Sequence, residues 1–137
     1  MSIVQTQTTS FKKELYYGIH DLSTDVIKMA LYDANANLNQ DTTQYSSTNE
    51  VSGGGYVAGG VQMQGVSINT SDYTAYVNFN NVQFSASVTA RCALIYNSSK
   101  ANRSIAVLDF GSDKTSSNFT VVMPVNGATT ALIRSSN

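Results

Sequence analysis

Apolar residues in this chain recur at every second position, segment after segment, and that period admits few folds. In Asp25–Tyr32 the alternate residues Ile27, Met29 and Leu31 fall on one face of an extended strand. Tyr73, Ala75, Val77 and Phe79 repeat the pattern, and so do Val88, Ala90, Cys92, Leu94 and Tyr96. Strand side chains point alternately to opposite faces, so this period sends apolar groups to a core and polar groups to water. Ser104–Phe110 is apolar on both faces, which suits a central strand. Phe119–Met123 and Ala131–Arg134 read as shorter closing strands, and Pro124 can stop the ladder after the first of them. The connectors are rich in Asn, Ser, Gly and Asp, as turns require. No helical pattern separates two strands, so no parallel crossover is expected. The pattern predicts a mainly β fold: an antiparallel β-sandwich or partly closed barrel.

One short N-terminal helix precedes the strands. Ser10 stands in a capping position before Phe11–Tyr17, and Gly18 closes the segment. Phe11 and Leu15 are four apart and share the expected inward face. A helix of about two turns does not stand alone and must pack on something larger. Residues 1–10 read as an N-terminal arm, mobile or held as an edge strand, and residues 11–137 as a single β domain. A chain of this length buries enough surface for a core without staples.

Residues 52–60, S-G-G-G-Y-V-A-G-G, hold five of the nine glycines. Gly53, Gly55 and Ala58 loosely fit the pattern of a dinucleotide loop, but such a loop needs a long helix after it. Here Val61 and Met63 alternate, then Val66 and Ile68 alternate in the opposite phase, which reads as a strand with a β-bulge at Gly65. Val61 also stands where a Walker loop needs Lys. The glycines are therefore expected to let backbone turn with positive φ or approach a neighbour closely. Tyr56 among them packs over the ribbon or shows its ring to a partner.

The side chains offer little chemistry. His20 is the only histidine, and one imidazole does not make a metal site. Asp21 and Asp25, and Asp109 and Asp113, are each four apart, a spacing that brings carboxylates together on a helix but not in β or loop structure. No nucleophile elbow, Ser-His-Asp order or zinc-protease motif is present. No catalytic, cofactor-binding or metal-binding residue is assigned, no cofactor is expected, and the chain is not read as an enzyme. Cys92 is the single cysteine, expected to be buried and inert. Charged residues make up only 12% of the chain, whereas Ser, Thr and Asn together number 45, so the surface is polar but nearly uncharged. A net charge of −1 with scattered Lys and Arg argues against nucleic acid as a partner. No stretch is long and apolar enough to span a membrane, and no secretory signal is expected. The polar segments Asn97–Asn102 and Gly111–Asn118 read as hairpin loops at opposite ends of the sheet, either plainly solvated or in contact with a protein lattice.

Two stretches carry a resemblance. T-T-Q-Y-S-S-T-N-E-V-S-G-G-G-Y-V-A-G-G (42–60) and A-L-I-Y-N-S-S-K-A-N-R-S-I-A-V-L-D-F-G-S-D-K (93–114) resemble small tailed-bacteriophage virion structural proteins. The start S-F-K-K-E-L-Y-Y-G-I-H-D-L and the strand I-K-M-A-L-Y are similar to theirs as well, so the likeness spans roughly 10–134. It implies a role in viral assembly, with no catalytic residues to carry over. The expectation is a capsid decoration (cement) protein bound outside the major capsid lattice, in the virion, after assembly in the host cytoplasm. A tail, neck or fibre component is the alternative, as is a virion-attached glycan-binding module using Tyr56, Tyr73 and Tyr76. The partners implied are the major capsid protein or other virion proteins, with a homo-oligomer possible.

Overall fold

The computed structural model describes residues 2–136. Along the chain lie β1 (Thr6–Gln7), α1 (Thr9–Tyr16), β2 (Ile27–Tyr32), β3 (Val61–Gln62), β4 (Ser67–Ser71), β5 (Thr74–Asn78), β6 (Val82–Gln83), β7 (Val88–Asn97), β8 (Arg103–Ser116), β9 (Thr120–Val121) and β10 (Ile133–Ser135). They form three antiparallel sheets: a five-stranded sheet β1-β8-β7-β2-β3, a three-stranded sheet β10-β5-β4, and the pair β6-β9. The fold is mainly β, consistent with a sandwich and without a closed barrel.

The five-stranded sheet is apolar on both faces, because both are covered. Ile27, Met29 and Leu31 of β2 join Ala93 and Ile95 of β7 in a core shared with Phe79, Phe84, Phe119, Val121 and Ile133 from the two smaller sheets and their flanks. The intervening residues Ala30 and Tyr32 point the other way, to Cys92, Leu94, Tyr96 and Val107. Among the described residues, no sheet covers this second face. The irregular segment 33–60 does so, seating Ala36, Leu38 and Tyr45 on it. Each fully buried Leu, Ile or Val contributes roughly 1.5–3 kcal/mol, so the two layers supply most of the driving force for folding.

Several expectations are corrected. The alternate set read along β7 does not share one face: Val88 and Ala90 belong to the first core, and Cys92, Leu94 and Tyr96 to the second. The switch falls at Arg91. Between the pairs Ala90–Lys114 and Cys92–Asp109, β8 places four residues, Phe110–Asp113, opposite that one. Gly111–Ser116 is therefore a bulge followed by paired strand, and the turn expected across 111–118 shrinks to the residues after Ser116. The phase flip at Gly65 is likewise no bulge within one strand. There the chain leaves the five-stranded sheet (β3) and enters the three-stranded one (β4). A further strand, β6, begins an alternation that runs unbroken from buried Val82 to buried Ala90.

The helix cap lies two residues before the expected one. Thr8 is the N-cap, its hydroxyl accepting the Phe11 N–H at 3.3 Å while lying 2.9 Å from the Ser104 hydroxyl. At the other end Gly18 (φ +73) closes the helix as expected. Its N–H donates to the Leu15 carbonyl, and the Ile19 N–H to the Glu14 carbonyl, the paired bonds of a Schellman ending. Phe11 is buried, but Leu15 is 39% exposed and does not share the inward face. Residues 2–7 lie on the body: β1 pairs with Ala106 and Val107, and Ser2 and Val4 bond the backbone of Leu38. This is the edge-strand form of the arm.

Candidate functional site

The glycine-rich stretch is a place of close backbone approach, as expected. A Cβ on Gly60 would sit 1.8 Å from the Met29 carbonyl oxygen, and one on Gly54 1.9 Å from that of Ser87. Such an approach sets half-buried Tyr56 against the core, where its ring stacks on Phe84 at 6.0 Å. The Tyr56 hydroxyl accepts the Leu31 N–H at 3.0 Å and donates to Glu50. The Glu50 carboxylate also accepts from the Tyr45 hydroxyl and from the Gly59 N–H at 2.9 Å. Tyr96 stacks on Tyr45 with ring centroids 4.8 Å apart and donates to the Gly59 carbonyl at 2.6 Å. Burial and the Glu50 charge push the Tyr56 and Tyr45 hydroxyls well above the ordinary tyrosine range. They remain donors, and the cluster fastens the covering segment to the sheet. Sequence reasoning missed Glu50, because its partners stand at 45, 56 and 59 and only the fold gathers them.

A second cluster absorbs the histidine and the first pair of aspartates. Asn97 Nδ2 donates to His20 Nδ1 at 2.9 Å and to Asp25 Oδ2 at 2.7 Å, and its oxygen accepts the Ser99 N–H at 3.0 Å. His20 Nδ1 is thus the acceptor, and Nε2–H donates to Glu14 at 2.8 Å. Glu14 also accepts from Arg103 at 3.1 Å. Asp25 takes both Lys100 bonds, at 2.8 and 2.9 Å, and the Asp21 N–H at 2.9 Å. Burial alone would raise the Asp25 pKa, but the bonds from Lys100, Asn97 and the Asp21 backbone outweigh it and bring the value down to about 2. The carboxylate, imidazole and Asn97 amide atoms of this chain of contacts all have protein partners, so it binds the α1 end, the β2 start and the β7–β8 turn together. The segment Asn97–Asn102 is therefore a fastened corner with Ser99, Ala101 and Asn102 exposed: Lys100 is committed to Asp25, and Ser98 and Ser99 bond the Val26 backbone.

The remaining sequence candidates lie apart. Asp109 pairs with Arg91, while Asp113 is exposed. Cys92 is buried, and loss of hydration pushes its thiol up to about 12. Tyr73 is 88% exposed at the β4–β5 turn, and Tyr76 is half-buried. Among the described residues, no group of three or more His, Cys, Asp or Glu side chains is placed to hold a metal ion, and no helix is long and apolar enough to cross a membrane.

One feature open to a partner is a cleft of about 1020 Å³ lined by residues of all three sheets. β1 and β8 form one wall, β9 with Pro124 another, and Ala131–Arg134 the third. β1, β9 and β10 are each the last strand of their sheet, so each has an edge without a strand partner. Leu108, Phe110 and Leu132 supply partly buried apolar surface, and Lys114 and Arg134 supply positive charge. No carboxylate side chain lines the cleft. The arrangement suits binding of an extended chain. Its signal in the sequence was weak, because the walls come from four separate segments. Comparison with protein-family models, with curated proteins and with solved structures finds no match to this chain.

Proposed function

We propose that this chain is a structural protein of a tailed-bacteriophage virion, a decoration protein that binds the outside of the major capsid lattice and stabilises the head. One observation carries the reading. The two stretches that resemble small virion proteins, 42–60 and 93–114, pack on each other as a single unit. Tyr45 stacks on Tyr96, the Tyr96 hydroxyl reaches Gly59, and the Tyr45 and Ser104 amides bond the Asn102 and Thr43 carbonyls. The resemblance thus falls on one continuous piece of architecture.

The physical character of the molecule supports the same role. A body fastened by buried polar clusters resists deformation under the load from packaged DNA. A polar, nearly uncharged surface makes wet contacts whose strength depends little on salt. A small patch per copy suffices, since many copies on a lattice add by avidity. Tail, neck or fibre placement is the same chemistry at lower copy number. The glycan-binding alternative would rest on exposed Tyr73 and half-buried Tyr76, since Tyr56 packs against the core and bonds Glu50.

Quantitative mass spectrometry of purified particles tests the reading. Copies in the hundreds per particle support head decoration. A few dozen or fewer move the chain to a tail or vertex, and its absence from particles overturns the virion role.

A further inference from the structure

We propose that Asn126 modifies itself: the Gly127 backbone nitrogen attacks its side-chain carbonyl carbon, and the isoaspartate that follows loosens the attachment of β10. The chemistry is the same whether or not the chain sits on a virion.

Asn126 is the only asparagine in the chain followed by glycine. A following residue with a Cβ crowds its own peptide nitrogen, and glycine does not. The fold leaves both reacting groups available. The Asn126 side chain is exposed, and among the described residues its one bond runs from Nδ2 to the Ser67 hydroxyl at 3.2 Å. The Gly127 N–H has no acceptor among the described residues, because this bend is pinned through carbonyls instead. The Val125 carbonyl accepts from the Thr130 hydroxyl at 2.6 Å, and the Gly127 carbonyl accepts the Thr130 and Ala131 N–H groups at 3.2 and 2.9 Å. Asn97 and Asn118 show the contrast. Asn97 is buried with its amide fully bonded. Asn118 is exposed, but the Phe119 N–H next to it is committed to the Ala86 carbonyl at 3.3 Å.

The step needs only base and water. The Gly127 nitrogen gives its proton to hydroxide and bonds to Asn126 Cγ. The Cγ–Nδ2 bond breaks, and the nitrogen leaves as ammonia after taking a proton from water, which closes a succinimide ring. Water then opens the ring at either carbonyl. Opening at Cγ gives aspartate. Opening at the backbone carbonyl gives isoaspartate, in which the main chain runs through Cβ and Cγ and is one carbon longer. Both products add a carboxylate to a chain whose formal net charge is −1. Only the second strains the loop, because the extra carbon falls between the Val125 and Gly127 carbonyls, both held by Thr130. Ala131 and Ile133, buried just beyond, then lose their anchor.

The test holds the full chain at pH 8, folded and, in parallel, unfolded in guanidinium, and then digests it with trypsin. Cleavage after Lys114 and Arg134 gives the peptide 115–134, which contains both Asn118 and Asn126. Mass spectrometry of the folded sample is expected to find an amide converted to an acid at 126 and none at 118. Asn126→Gln, at an exposed position, should stay unchanged over the same interval, and Gly127→Ala should convert severalfold more slowly. The isoaspartate form, separated by chromatography, should melt roughly 3–6 °C below the unmodified chain, whereas Asn126→Asp, which adds the charge without the carbon, should melt close to it. No conversion at 126 in the folded chain while the unfolded chain converts overturns the site, as does earlier conversion at another asparagine. Equal melts of the isoaspartate form and Asn126→Asp overturn the loosening of β10.

Discussion

Replacing Asp25 by Asn isolates the charge that holds the β7–β8 turn to the start of β2. The carboxylate side chain is 8% exposed and takes bonds from Lys100, Asn97 and the Asp21 backbone. Asn keeps the shape and leaves one oxygen for Asn97 and Asp21, but it turns an amide toward the Lys100 ammonium. The pKa of about 2, against the ordinary 3.8, sets the scale. That difference corresponds to roughly 2 kcal/mol of stability from ionised Asp25. In a domain of this size the loss lowers Tm by roughly 6–10 °C at pH 7. The dependence on pH has a definite sign. The folded value lies below the unfolded one, so the unfolded chain takes up the proton first on acidification. The contribution is full above about pH 4 and fades as pH falls toward about 2. Thermal melts of wild type and D25N should therefore differ clearly at pH 7 and converge near pH 2. An equal gap at both pH values would refute the reasoning, because the loss would then come from shape. No gap at pH 7 would do the same by showing that Lys100 and Asn97 gain nothing from the charge.

Other perturbations have equally direct outcomes. Gly60→Ala drives a methyl into the Met29 carbonyl and should destabilise by roughly 3 kcal/mol or more, whereas Gly53→Ala meets open space and should lose only about 1 kcal/mol to its positive φ; urea melts rank the two. Glu50→Ala leaves the Tyr45 and Tyr56 hydroxyls and the Gly59 N–H without their acceptor, a loss of roughly 3 kcal/mol, read as a lower Tm and faster hydrogen exchange across 45–60. Cys92, buried and with its thiol raised to about 12, should resist iodoacetamide at pH 8 in the native protein and react on denaturation; prompt native labelling, seen by mass spectrometry, would show that segment 33–60 does not cover it.

The strands were legible because each carries its own period. Ile27, Met29 and Leu31 needed no knowledge of their neighbours to be placed on one face. What stayed hidden depends on register between distant segments. The face switch at Arg91 arises from the extra residues Phe110–Asp113 on the opposing strand, and nothing in 88–96 announces it. Thr8, Thr9 and Ser10 are all competent caps, and the choice of Thr8 rests on its burial against Ser104. Gly65 marked a real change of phase, but a bulge and a passage between sheets look alike in one dimension. Asn97 reads as an ordinary turn residue. Its role appears only once β2 and α1 bring Asp25 and His20 to its two amide protons. The Gly-rich stretch was readable as tight backbone because only Gly tolerates both positive φ and contact with a carbonyl. That it also gathers Glu50 and two tyrosines was not readable, because those partners are set by how 33–60 lies over the sheet.

An electron-microscopy map of the intact particle tests the central claim most directly. The account predicts density for this sandwich repeated over the outer face of the head. A particle whose shell and tail are fully accounted for without this chain would contradict it.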